Sequence, residues 1–111
     1  MSKRILLFPG QGSQYLGMGK KLAESHAGAR KLLDEANATL GFDLADIMWN
    51  GPEEKLTSTD NTQPALFTVS MMAMEWVRER CVEFNYVAGH SLGEYSALCA
   101  AGVFSFADGL R

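Results

Sequence analysis

The chain has little of what staples, spans or strongly charges a protein. It holds two cysteines, Cys81 and Cys99, in 111 residues. They form no Cys-x-x-Cys pair and have no histidine at ligand spacing. A disulfide framework and a metal site are thereby excluded, and reduced, buried thiols are expected. Its three prolines, Pro9, Pro52 and Pro64, are scattered singly, so no proline-rich linker divides the chain. No apolar run reaches the roughly 18 residues of a membrane-spanning helix, so no membrane partner is expected. Met1-Ser2-Lys3-Arg4 and the short apolar stretch after it are too brief for a secretory signal, and the cytoplasm is the expected compartment. A net charge of −3 argues against nucleic acid as a partner. Repeats and low-complexity tracts are missing. What remains is at most one compact domain, 47% hydrophobic and so able to build a core.

What the chain does have is a Gly-x-Ser-x-Gly turn in a telling context. Tyr86-Val87-Ala88 reads as a short buried strand, Gly89-His90-Ser91-Leu92-Gly93 as the turn, and residues 94–101 as a helix stopped by Gly102. Strand, turn and helix in this order form a nucleophile elbow, which presents a serine oxygen at the mouth of a site. A serine hydroxyl is a weak nucleophile and needs exposure, orientation and a base. Glycines at 89 and 93 would relieve crowding at the bend, and the Leu92 N–H would face an oxyanion from the helix start. The five residues alone are equally those of a packing turn.

A second loop follows an apolar run at residues 4–8, which reads as a buried parallel strand. Pro9-Gly10-Gln11-Gly12-Ser13-Gln14 has neither the Gly-x-Gly-x-x-Gly order nor a Gly-Lys-Ser/Thr ending, so nucleotide binding is disfavoured. It sets Gln11, a neutral amide donor, between two glycines where a ligand can approach the backbone; a bland turn remains the alternative.

Between the two strands the pattern is helical. Residues 19–24 form a short helix. Residues 30–40 carry Leu32, Leu33, Ala36 and Leu40 on one stripe, ended by Gly41. Short turns follow at 43–49 and 52–56. A long helix is expected from about Gln63, with Thr62 as cap and Pro64 in its first turn. Its first half is apolar nearly all round, which predicts burial on several sides. Ser105 is expected to cap a last helix beginning at Phe106. Two apolar strands separated by helices predict an α/β layered fold with a parallel sheet. Two such strands are a thin sheet, so the chain reads as part of a larger domain. An isolated copy should expose apolar surface and self-associate.

Together the motifs resemble one family. Phe8-Pro9-Gly10-Gln11-Gly12-Ser13-Gln14, Gly17-Met18-Gly19, Asn61-Thr62-Gln63-Pro64-Ala65-Leu66 and Gly89-His90-Ser91-Leu92-Gly93-Glu94-Tyr95 are similar in order and spacing to malonyl-CoA:acyl carrier protein transacylases. The acyltransferase domains of polyketide and type I fatty acid synthases share the pattern. The resemblance implies the N-terminal part of an α/β-hydrolase-like acyltransferase core over residues 1–111, without the family's inserted small subdomain and C-terminal part. It implies Ser91 as the nucleophile, Gln11 and the Leu92 N–H as oxyanion elements, and Gln63 and His90 as walls of the acyl pocket. It further implies malonyl-CoA as substrate with no bound cofactor, acyl carrier protein as partner, and a malonyl preference from the aliphatic Leu92. The methionine start fits the standalone enzyme of fatty acid synthesis. A polyketide synthase segment, a generic serine esterase and a non-catalytic binding or assembly piece are the alternatives.

Two family residues have no counterpart here: the arginine that pairs with the malonyl carboxylate and the histidine base. Arg111 is too early to be equated with the first. Of the two histidines, His90 adjoins Ser91 and should diverge from it at the bend, whereas His26 reads as exposed or helix-terminal. Glu94 suits the helix N-terminus electrostatically. The chain alone is therefore expected to be a poor catalyst. Lys20, Lys21, Arg30 and Lys31 read as solvated helix faces, with a patch for an acidic carrier protein as the alternative.

Overall fold

The computed structural model describes residues 4–80, 84, 86–90 and 92–110. Its elements are β1 (Ile5–Phe8), α1 (Lys20–Ser25), α2 (Ala27–Leu40), α3 (Leu44–Asn50), α4 (Glu53–Thr57), α5 (Thr59–Glu79), β2 (Tyr86–Gly89), α6 (Leu92–Ala100) and α7 (Phe106–Gly109). The strands pair in parallel, with Leu6 opposite Val87 and Phe8 opposite Gly89. This is the expected α/β arrangement.

The long helix α5 divides the interior into two cores. Its Ala65, Leu66 and Met72 face α1 to α4 and pack with Leu33, Leu44, Met48 and Leu56. Its Phe67, Met71 and Met74 face the sheet side and pack with Phe8, Ala97 and Ala100. A helix lined on both sides in this way needs apolar residues around its whole circumference, as its sequence has.

Several boundaries differ from expectation, each for a local reason. Helix α5 begins at Thr59 rather than Gln63, and the amides of Asn61 and Thr62 donate to the Ser58 carbonyl at 3.0 and 2.8 Å. Pro64 therefore lies within the helix, where its missing N–H leaves the Asp60 carbonyl without an i+4 partner. The polar run Thr59-Asp60-Asn61-Thr62 hides that extra turn from a reading based on apolar spacing. Helix α2 begins at Ala27 because the His26 ring caps it, Nδ1 accepting from the Ala29 N–H at 3.1 Å. Asp43 precedes α3 as its cap, accepting from the Asp46 N–H at 3.1 Å, and Pro52 stands just ahead of α4. Cys81, the expected end of the long helix, lies outside the described residues.

The strands are less buried than their composition predicts. Leu6 and Phe8 turn towards α5 and α6, but Ile5, Leu7 and Tyr86 are 53%, 74% and 54% exposed. The strands carry apolar residues for two faces, and the described elements cover one. The exposed apolar surface expected of this chain is therefore present.

Other features form as the sequence predicts. Ser105 caps α7, accepting from the Asp108 N–H at 3.2 Å. After α6, the Gly102 and Val103 amides donate to the Cys99 and Leu98 carbonyls, both at 3.0 Å, with Gly102 at φ +86°. These crossed bonds close a helix end through a left-handed glycine.

Candidate active site

The bend between β2 and α6 is fixed by backbone contacts on both sides of Ser91. The His90 N–H donates to the Phe8 carbonyl at 3.2 Å and extends the strand pairing by one bond. The Gly93 N–H donates to the His90 carbonyl at 2.9 Å and closes the turn. Both glycines are required sterically. A Cβ on Gly89 would stand 1.9 Å from the Gly93 carbonyl carbon and oxygen, and one on Gly93 would stand 2.0 Å from the Phe8 carbonyl oxygen. No native contact is that short, so the strand, the bend and the start of α6 can close together only with hydrogen at these two positions. Ser91 itself lies outside the described residues, but His90 and Leu92 on either side are described.

Leu92 opens α6, so its N–H has no acceptor within the helix. An amide with no acceptor in its own helix is the kind of donor that an oxyanion takes. The Gln11 loop leaves β1 at the same end of the sheet. The added Cβ on Gly93 would also be 3.1 Å from the Pro9 carbonyl, so the loop begins against the elbow. The Gly12 N–H donates to Gln14 Oε1 at 2.7 Å and the Ser13 N–H to the Gly10 carbonyl at 3.3 Å, and Gln11 is exposed at the tip of this turn.

Gln63 and Leu92 line one cavity of about 410 Å³, with Asp60, Phe67 and Tyr95 among the other walls. The fold thus brings together two of the residues singled out in the sequence. His90 is exposed at the bend and is not among the residues around this cavity. Sequence reasoning missed Asp60, Phe67 and Tyr95. Their signal was positional: Phe67 follows Gln63 by four residues on α5 and Tyr95 follows Leu92 by three on α6, so each shares its partner's helix face.

Among the described residues, His26 lies away from the bend. His26 caps α2 through Nδ1, and its Nε2 lies 2.5 Å from Glu79 Oε2. Glu79 ends α5, 16 residues beyond Gln63 and about 24 Å further along the helix. The helix-terminal role expected for His26 is the observed one. Glu94 is exposed in the first turn of α6, as its electrostatic reading requires. Cys99 is half-buried, and burial pushes its thiol above the ordinary range, while the nearby Arg78 charge opposes the shift. A thiol held protonated is a poor nucleophile. Among the described residues, no cluster of histidine, cysteine and acidic groups could hold a metal, and no helix is long and apolar enough to cross a membrane.

A parallel α/β unit with a glycine-locked strand–turn–helix and an adjoining helix-start amide fits the serine acyl-transfer class, which acyltransferases share with serine esterases. The chain belongs to the acyl transferase domain family, whose pattern it matches over residues 5–111. It is 52% identical to the malonyl CoA-acyl carrier protein transacylase of Bacillus subtilis strain 168 over 97% of its own length and 34% of that protein. It is 48% identical to the polyketide biosynthesis protein ThaF of Burkholderia thailandensis over 100% of its own length and 9% of that protein. Among solved structures, the acyl-carrier-protein-S-malonyltransferase of Bartonella henselae superposes with a TM-score of 0.94 at 47% identity, covering 100% of this chain and 36% of that one. A malonyl-transacylase solved in complex with a type II polyketide synthase acyl-carrier protein superposes with the same TM-score at 43% identity, covering 99% and 36%. The chain thus spans about a third of the length of the transacylases it matches.

Proposed function

We propose that this chain supplies the elbow-bearing third of an enzyme that moves malonyl from coenzyme A to the thiol of acyl carrier protein. The observation that carries the reading is the glycine-locked bend, which puts Leu92 at a helix start beside the cavity shared with Gln63. Ser91 Oγ attacks the thioester carbonyl, a C–O bond forms, the C–S bond breaks, and coenzyme A leaves as a thiol with the serine proton. The carrier-protein thiol then attacks the ester, the C–O bond breaks, and the serine regains a proton. The Leu92 N–H and Gln11 stabilise the oxyanion of each tetrahedral intermediate. Gln63, in the cavity wall, bounds the acyl group, whereas His90 stands exposed at the bend outside that cavity.

The base and the cation for the malonyl carboxylate are residues that the family resemblance sets downstream of Arg111. The 111-residue chain by itself is then a very poor catalyst, and the activity belongs to the full-length enzyme. No bound cofactor is needed for acyl exchange between a thioester and a thiol. The compartment is the cytoplasm and the pathway fatty acid synthesis. The match to ThaF favours a polyketide pathway as the second reading.

The test is intact-mass analysis of a full-length enzyme carrying this segment after incubation with malonyl-CoA. One covalent malonyl group is expected on the unsubstituted enzyme and none on Ser91→Ala. An adduct that survives in the alanine variant removes Ser91 from its role.

A further inference from the structure

Helices α5 and α6 present matched pairs to the cavity beside the elbow. The α5 face offers Gln63 and, one turn on, Phe67; the α6 face offers Leu92 and, one turn on, Tyr95. The second pair is in ring contact, with centroids 5.9 Å apart and planes tilted at 59°. Phe67 is buried and stacks on Phe106 of α7 at 5.4 Å and 13°, while Tyr95 also meets Phe104 at 4.7 Å. Gly109 completes the fit. A Cβ there would be 2.6 Å from Phe67 Cζ and 2.8 Å from Phe104 Cε2, so a side chain at that position would push the two rings aside.

We propose that the Phe67–Tyr95 contact is a positioning device. It sets the height and rotation of α6 against α5, and through them the aim of the Leu92 N–H relative to the cavity that Gln63 shares. The backbone contacts of Gly89 and Gly93 fix the approach of α6 to the sheet, and Ala97 and Ala100 further along it pack against α5. The tilted Phe67–Tyr95 contact restrains the rotation of the first turn of α6 towards α5. Neither aromatic residue takes part in bond making. Tyr95 acts through its ring, and its hydroxyl is dispensable. The inference rests on the acyl-transfer reading of Ser91.

The experiment uses a full-length enzyme carrying this segment, with Tyr95→Ala, Tyr95→Phe and the unsubstituted protein compared by steady-state kinetics and by the rate of Ser91 malonylation. Tyr95 is 41% exposed, and the melting temperature of each variant separates a loss of folding from a loss of rate. Tyr95→Ala is expected to lower kcat and the acylation rate about tenfold or more with KM changed less than threefold, because misaimed transition-state donors cost rate rather than binding. Tyr95→Phe is expected to restore both rates. A Tyr95→Ala enzyme with kcat within twofold of the unsubstituted protein overturns the proposal. So does a Tyr95→Phe enzyme as slow as the alanine variant, since the hydroxyl would then be the active part. Failure of the unsubstituted enzyme to acylate at Ser91 would instead overturn the function on which the inference rests.

Discussion

Gly93 has no room for a side chain, and that is where the chemistry and the fold meet most tightly. Replacing it with alanine forces the Phe8 carbonyl, and with it β1, away from α6. The expected cost is about 3 kcal/mol or more, at or above the upper end of ordinary overpacking, because the obstructing atoms are backbone. Activity should fall about a hundredfold through misplacement of the bend. Urea unfolding and malonylation rates of Gly93→Ala check both. Cys99 gives a second prediction at this scale. Its thiol is pushed up by burial in the folded state, so the unfolded chain ionises first as pH rises. The stabilising contribution is complete below the ordinary thiol range and is lost as pH climbs through the raised value. Unfolding midpoints at pH 7 and pH 10 should differ less in Cys99→Ser than in the unsubstituted protein; an equal alkaline loss would contradict this.

Helix α2 depends on an unusual cap. The His26 ring takes the place that a serine or aspartate normally fills, so His26→Ala should cost about 1 kcal/mol, and His26→Asn should recover most of it. Amide exchange at Ala29 and Arg30 reports the loss directly. Helix α5 sits between two cores, and Met72 in its middle is fully buried. Met72→Ala should therefore cost about 2–5 kcal/mol in unfolding measurements. These helices also show how far the sequence could be read. The stripes of α2 and α5 were legible because apolar spacing follows burial. Their starts were not, because histidine is a rare cap and because Pro64 looks like a first-turn residue when it stands inside the helix. The elbow glycines were legible because a sharp bend limits which residues fit. The Phe67–Tyr95 contact was not, because it joins helices far apart in sequence and depends on how they cross.

For the whole molecule, the telling feature is the uncovered sheet. Ile5 and Leu7 are apolar and exposed, and a cavity of about 300 Å³ runs beside β1, lined by Leu6, Phe8, Pro9 and Met74 among others. Parallel strands are normally covered on both faces. The 111-residue chain on its own should accordingly self-associate in a concentration-dependent way in sedimentation experiments. A clean monomer with a sharp, reversible unfolding transition would contradict this. The central claim is that Ser91 carries the acyl group, and intact-mass analysis of a full-length enzyme with malonyl-CoA tests it most directly. The account predicts one malonyl group on the unsubstituted enzyme and none on Ser91→Ala; equal labelling of the two would contradict it.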